Sequence, residues 1–187
     1  MSQAFVALGG NIDGPASRLL AVMQEFDSLP HTRLVRASSL YRTAPVGYAD
    51  QPDFINAAVL LDTTLSPAAL MTELQALETR HGRVRHLRNG PRTLDLDLLL
   101  YDNLTLDDDP ALIVPHPRLH LRSFVLAPLV EISPECVLPR HGRAASILER
   151  MLDRNDVHRI DFPGLEDGLQ ILRRLGQGLM PMHHACV

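Results

Sequence analysis

Asp95 and Asp97 stand two apart in the run Gly90-Pro91-Arg92-Thr93-Leu94-Asp95-Leu96-Asp97-Leu98-Leu99-Leu100-Tyr101, and their spacing suits metal chemistry. From Leu94 the run is mostly apolar, bounded by Gly-Pro before and Asp102-Asn103 after, which predicts a buried strand. Side chains alternate along a strand. The two aspartates therefore share one face, about 6–7 Å apart, while Leu94, Leu96 and Leu98 take the other. At an effective dielectric of ~20 the carboxylates repel by roughly 2–3 kcal/mol. Such a pair calls for a cation. Carboxylates are hard oxygen ligands that suit Mg²⁺, which is commonly shared with substrate phosphates.

The upstream residues fit phosphate. Arg80, Arg83, Arg85, Arg88 and Arg92 follow one another with no acid among them. Guanidinium groups grip phosphate oxygens bidentately, and arginines beside metal-holding acids are working parts of phosphoryl transfer. An isolated D-x-D is usually just a polar face, and an arginine cluster is usually solvated surface or an RNA contact. Side by side they favour a polyphosphate. His116 lies in a Pro115-His116-Pro117 turn, where a lone histidine is more often structural. Gln75 and Glu78, three apart, fall on one side of a predicted helix as ordinary exposed residues. His183, His184 and Cys186 have metal-ligand chemistry but read as a frayed terminus.

The elements that must position these residues can be read in order. The chain has 187 residues and a net charge of -4, so it is expected to form one main domain whose overall field does not attract nucleic acid or acidic membranes. Its two cysteines indicate no disulfide framework, and no apolar run approaches membrane-spanning length. A cytoplasmic protein is expected. All 18 basic residues are arginine, which excludes a lysine-bearing phosphate loop and a lysine Schiff base. A strand is predicted over 3–8, a helix from Pro15 to about Asp27, and a strand over 32–42. A loop follows over 43–53, with two prolines and a glycine, long enough to suggest function. A strand over 54–61 precedes a helix opened by Ser66-Pro67, faced by Leu70, Leu74 and Leu77 and stopped by Gly82. The order is βαββαβ: an α+β, ferredoxin-like split βαβ antiparallel sheet with helices on one face. Residues 107–110 read as a solvated loop. Helices over 123–132 (with Pro128 inside), 144–152 and 165–175 are C-terminal additions, and the last dozen residues read as disordered. The domain is expected over 1–158, with an extension over 159–187.

Three separated segments resemble the hydroxymethyl-dihydropterin pyrophosphokinases of folate biosynthesis. They are Tyr41-Arg42-Thr43 with Gln51-Pro52-Asp53-Phe54-Ile55-Asn56-Ala57-Ala58, then Gly90 to Asp97, and Val114-Pro115-His116 with Arg122-Ser123-Phe124. Leu8-Gly9-Gly10-Asn11 is also similar, with Gly10 where serine is more usual. The resemblance implies transfer of the β,γ-pyrophosphoryl group of MgATP to the pterin hydroxymethyl oxygen, releasing AMP. It implies that Asp95 and Asp97 hold two Mg²⁺ ions and that Arg83 and Arg92 clamp phosphate, with Arg85 and Arg88 helping. Arg83, Arg92 and Asp97 are the implied catalytic residues. Met71, Gln75, Glu78, Leu98, His116 and Arg122 fall on the nucleotide site. Thr43, Ala44, Pro45, Val46, Phe54, Asn56 and Phe124 fall on the pterin pocket. The resemblance leaves Asn89 where tryptophan can occur, in a loop one residue shorter than in some relatives, and Ala111 and Ile113 where an arginine and a threonine can face nucleotide. A D-x-D nucleotidyltransferase and an RNA-binding module of the same topology are the competing readings. ATP and dihydropterin are the expected partners, with no nucleic acid, no membrane and a monomeric state.

Overall fold

The computed structural model describes residues 1–45, 47, 50–83 and 90–161. Its centre is an antiparallel sheet built from β1 (Ser2–Gly10), β2 (Thr32–Ala37), β3 (Leu40–Thr43), β4 (Phe54–Thr63), β5 (Asp95–Tyr101) and β10 (His158–Ile160). The order is β10-β3-β4-β1-β5, with β2 also paired to β4. The single strand expected over 32–42 is thus two strands lying along β4, interrupted at Ser38-Ser39.

β4 is apolar nearly throughout because both of its faces are covered. On one face lie α1 (Pro15–Glu25) and α2 (Pro67–Arg80), packed against Ala4, Val6, Leu8, Ile55, Ala57, Val59, Leu61, Leu96 and Leu98. On the other lie α3 (Ser123–Ile132) and α4 (Ala144–Glu149), packed with Phe5, Ala58, Leu60, Leu99 and Leu100. The expectation of helices on one face holds for the βαββαβ unit alone. The C-terminal additions cover the other. A bulge in the β1–β5 register, where Phe5 faces Leu100 and Val6 faces Leu98, turns both Leu99 and Leu100 to the α3 face.

The helix boundaries follow their capping residues. Ser66 Oγ accepts the Ala69 N–H, and Pro67 opens α2, where a missing N–H costs nothing. At the other end Gly82 takes φ +75°, with the Gly82 N–H bonded to Thr79 O and the Arg83 N–H to Glu78 O. That is the paired Schellman closure, and it delivers Arg83 at a fixed place beside the sheet.

Residues 107–110, expected as a loop, belong largely to β6 (Leu106–Asp109), which pairs with β7 (Leu112–Val114). The local run of acids hid that pairing. A second small hairpin joins β8 (Val137–Leu138) to β9 (Gly142–Arg143). β10 crosses the expected boundary at 158 and pairs with β3. The helix expected over 165–175 and the terminal His183, His184 and Cys186 lie outside the described residues. Among the described residues, no helix is long and apolar enough to cross a membrane.

Candidate active site

β1 and β3 end, and β4 and β5 begin, along the same margin of the sheet. Gly9 of β1 pairs with Asn56 on one side and Asp95 on the other, and Ala7 pairs with Ala58 and Asp97. Tyr41 continues the first row opposite Asn56, and Thr43 faces Phe54. Directly opposed residues share a face. Thr43, Phe54, Asn56, Asp95 and Asp97 therefore look to the α3 side of the sheet, while Leu94, Leu96 and Leu98 are buried on the α1–α2 side, as the alternation predicts. Gly9 lies between Asn56 and Asp95 with no side chain. A Cβ there would come within 3.3 Å of Asn56 Oδ1.

Asp95 accepts from two arginines: Arg83 bonds its Oδ1, and Arg92 Nη1 lies 2.5 Å from its Oδ2. Asp97, more open, faces Arg122 Nη1 at 3.4 Å and His116 Nε2 at 3.8 Å. Arg92 also sits over the Phe54 ring, 5.6 Å from its centroid, and Arg122 sits over Phe124 at 5.7 Å. Each aromatic face beside the aspartates thus carries a guanidinium, a favourable cation–π arrangement.

His116 has a defined tautomer. Its Nδ1 accepts the Arg118 N–H at 3.1 Å, so the proton of the neutral ring lies on Nε2, towards Asp97. Burial lowers its pKa, Arg122 and Arg118 lower it further, and Asp97 opposes them. The ring is a neutral donor at this point, not a base. Burial likewise lowers the pKa of Arg122.

Glu78 is the main revision to the expected geometry. It is 3% exposed, not a surface residue of the helix. Its Oε1 accepts the Leu96 N–H at 2.7 Å and pairs with Arg83. Burial raises its pKa, an effect that the Leu96 N–H and Arg83 oppose. Glu78 therefore joins α2, β5 and Arg83. Gln75 is exposed, and half-buried Met71 packs against the α1–α2 core. The Leu98 side chain lies in that core at 2% exposure, so any contact of Leu98 with a nucleotide would run through its backbone. Thr43 Oγ1 accepts from Asn56 Nδ2 at 2.9 Å, and both residues are buried. Ala44 is exposed and Pro45 half-buried. Val46, Arg85, Arg88 and Asn89 lie outside the described residues.

Asn11 was missed by sequence reasoning. It is 3% exposed. Its Nδ2 donates to Gln51 Oε1 and Pro52 O, both at 3.0 Å, and its Oδ1 accepts the Arg92 N–H at 2.8 Å. Its own N–H donates to Arg92 O at 2.9 Å. One side chain thus ties the loop over 43–53 to the arginine segment. The signals it offered were its place directly after an apolar strand and Gly9-Gly10, and its membership of the similar segment Leu8-Gly9-Gly10-Asn11, neither of which assigned it a role.

Among the described residues, no three His, Cys, Asp or Glu side chains form a metal cluster. Two carboxylates on one face suit an ion that takes its remaining ligands from phosphate and water, which is the habit of Mg²⁺.

The model of the 7,8-dihydro-6-hydroxymethylpterin-pyrophosphokinase (HPPK) family matches residues 5–134. The chain belongs to this family. It is an ATP-dependent pyrophosphokinase, a transferase of folate biosynthesis. It is 48% identical to the 2-amino-4-hydroxy-6-hydroxymethyldihydropteridine pyrophosphokinase of Pseudomonas aeruginosa over 139 residues, 74% of this chain and 85% of that protein. It is 42% identical to the enzyme of the same name from Haemophilus influenzae over 153 residues, 82% of this chain and 95% of that one. The crystal structure of wild-type Plasmodium falciparum HPPK-DHPS with pteroate superposes with a TM-score of 0.64 at 13% identity, covering 86% of this chain and 48% of that one. The wild-type structure of the same protein with SDX-DHP gives 0.63, covering 87% and 48%. At that identity the likeness establishes the α+β fold, and this chain spans about half the length of those solved chains.

Proposed function

We propose that the pyrophosphokinase transfers the β,γ-pyrophosphoryl group of ATP to the hydroxymethyl oxygen of 6-hydroxymethyl-7,8-dihydropterin at the sheet margin described above. The carrying observation is that Asp95 and Asp97 share one face, within reach of Arg83, Arg92, Arg122 and His116. Two Mg²⁺ ions, held by Asp95 and Asp97, would neutralise the triphosphate oxygens as Lewis acids. Arg83, Arg92 and Arg122 rest on those aspartates and, with the carboxylates engaged by metal, would be free to bind the phosphates. Glu78 keeps its grip on Arg83 from behind throughout. His116 donates Nε2–H to a phosphate oxygen, a bond that strengthens as charge develops in flight.

The pterin lies against Phe54 and Phe124, with Asn56 reading its amide-like edge and Thr43 to Val46 closing the pocket. Its hydroxyl oxygen bonds to the β-phosphorus, the bond from that phosphorus to the α-bridging oxygen breaks, and AMP leaves. The hydroxyl proton goes to Asp97, since His116 has no free lone pair facing the reaction. Arg85 and Arg88 help to clamp the triphosphate, and Met71, Gln75 and the Leu98 backbone line the adenosine end. The domain, taken through β10 to Ile160, acts as a cytoplasmic monomer without nucleic acid. The α3 helix covers much of the sheet face that an RNA-binding module would leave open.

The test is incubation with MgATP and the pterin. Pterin-dependent release of AMP and formation of a pyrophosphorylated pterin are expected. Free pyrophosphate with AMP retained on the pterin would replace this reading with nucleotidyl transfer. Metal titration with a non-hydrolysable ATP analogue should give two ions per site. A stoichiometry of one would correct the metal assignment.

A further inference from the structure

The pairing of β2 and β3 with β4 gains one residue twice. Thr32, Arg33 and Leu34 face Thr63, Asp62 and Leu61; after one extra residue, Arg36 and Ala37 face Leu60 and Val59. Beyond Ser38-Ser39 the register has slipped again, so that Tyr41, Arg42 and Thr43 face Asn56, Ile55 and Phe54. Each inserted residue reverses which side chains point to which face. Without the second insertion, Leu40 would stand opposite Asn56 and Arg42 opposite Phe54. Thr43 would fall beyond the end of the ladder. The insertion decides which side chains of β3 line the margin.

An inserted residue leaves backbone groups without ladder partners, and these are inside the protein: Ser38 and Ser39 are both 0% exposed. Ser38 satisfies its own side of the gap. Its N–H donates to Ala58 O at 2.9 Å, and its Oγ accepts the Ala58 N–H at 2.9 Å and donates to Ser39 O at 2.7 Å. Ser39 turns to α3. The Ser39 N–H donates to Glu131 Oε2 at 2.9 Å and its hydroxyl to Glu131 Oε1 at 2.7 Å. The Tyr41 hydroxyl donates to the same carboxylate at 2.9 Å. One charged acceptor holds three donors that flank the insertion. Arg36 Nη1 donates to Ile132 O at 2.8 Å and fixes the same end of α3 to β2.

We infer that Glu131 is a positioning residue for the pterin pocket: by locking the extra residue at Ser38-Ser39 it sets the phase of β3, so that Thr43 meets Asn56 and Phe54. The inference rests on the assignment of Thr43, Phe54 and Asn56 to that pocket. Glu131 itself touches no substrate. It acts through Ser39 and Tyr41, on the pterin side, because β5, Arg83 and Arg92 are held by other contacts, through Glu78, Asp95 and Asn11.

The test compares Glu131→Ala, Glu131→Gln and Tyr41→Phe by steady-state kinetics, with KM measured separately for pterin and for ATP. Losing a charged acceptor shared by three donors should raise the pterin KM of Glu131→Ala about tenfold, with ATP KM held within about twofold. Glu131→Gln keeps one accepting oxygen and should rise about threefold, a partial rescue. Should Glu131→Ala fail to fold, Glu131→Gln and Tyr41→Phe carry the test, with the same selective rise of about threefold. A role confined to stability predicts lower melting temperatures with both KM values unchanged, or both raised in step. Either result overturns the inference. A wild-type protein that releases no pterin-dependent AMP is a different outcome: it overturns the functional reading, and the positioning role with it.

Discussion

Asn11→Ala removes a side chain that makes three hydrogen bonds, to Gln51, to Pro52 O and from the Arg92 N–H. Two of these partners are backbone groups in a part-buried place, and each costs about 1–3 kcal/mol when left unpaired. Solvent reaches the site from the margin, so the sum should fall near the low end, roughly 2–4 kcal/mol. For a domain of this size each kcal/mol lowers the melting temperature by about 2–4 °C, which gives a drop of roughly 5–15 °C. Urea titration should show a lower midpoint with an unchanged slope. Binding of the pterin and of a non-hydrolysable ATP analogue should both weaken, because the loop over 43–53 and the Arg92 segment lose their common tie. Asn11→Asp separates the two halves. It still accepts the Arg92 N–H, but turns a second oxygen towards Pro52 O, so pterin binding should suffer more than nucleotide binding. The reasoning is refuted if Asn11→Ala loses under about 0.5 kcal/mol and neither affinity changes by more than about twofold.

Three other outcomes follow from the same contacts. Asp97→Asn should lower turnover at least about a hundredfold; near-normal turnover with normal metal binding would remove Asp97 from the proton path. Burial raises the Glu78 pKa above its ordinary value of 4.5, so the folded protein holds that proton more tightly than the unfolded chain, and stability falls as pH rises from the ordinary value through the raised one. Glu78→Gln should abolish that part of the slope in urea midpoints measured against pH, while raising ATP KM through a loosened Arg83; parallel stability curves would contradict it. Ser66→Ala should cost about 1 kcal/mol in thermal unfolding and leave both KM values alone, as befits a cap remote from the margin.

The βαββαβ order was legible because each element carries a local signature. Examples are the alternation around Asp95 and Asp97, the Ser66-Pro67 start of α2 and the Gly82 stop. The shared face of the two aspartates came from strand period alone. The strand over 32–42 was legible as extended chain, but not as two strands, since neither serine breaks a β pattern. Both insertions are defined only by what β4 offers opposite them. The β6–β7 hairpin hid for a related reason: three aspartates and a proline at 107–110 read as solvent-facing, and an exposed hairpin is solvent-facing too.

Glu78 and Asn11 mark the limit more sharply. Both are polar residues that local rules place at the surface, and both are buried because a backbone group elsewhere needs a partner. Glu78 serves the Leu96 N–H on β5, and Asn11 serves the Arg92 N–H beside it. Leu96 lies between the two aspartates, and Arg92 is one of the proposed clamps. The groups that fix the chemistry are therefore held by residues with no chemistry of their own to announce. A sequence reveals a donor or an acceptor, but only the folded chain reveals which backbone group is left unpaired to claim it. Buried side chains that satisfy such groups near a site are for that reason the ones that motif reading passes over, and also the ones whose loss should disturb substrate geometry before it disturbs the fold.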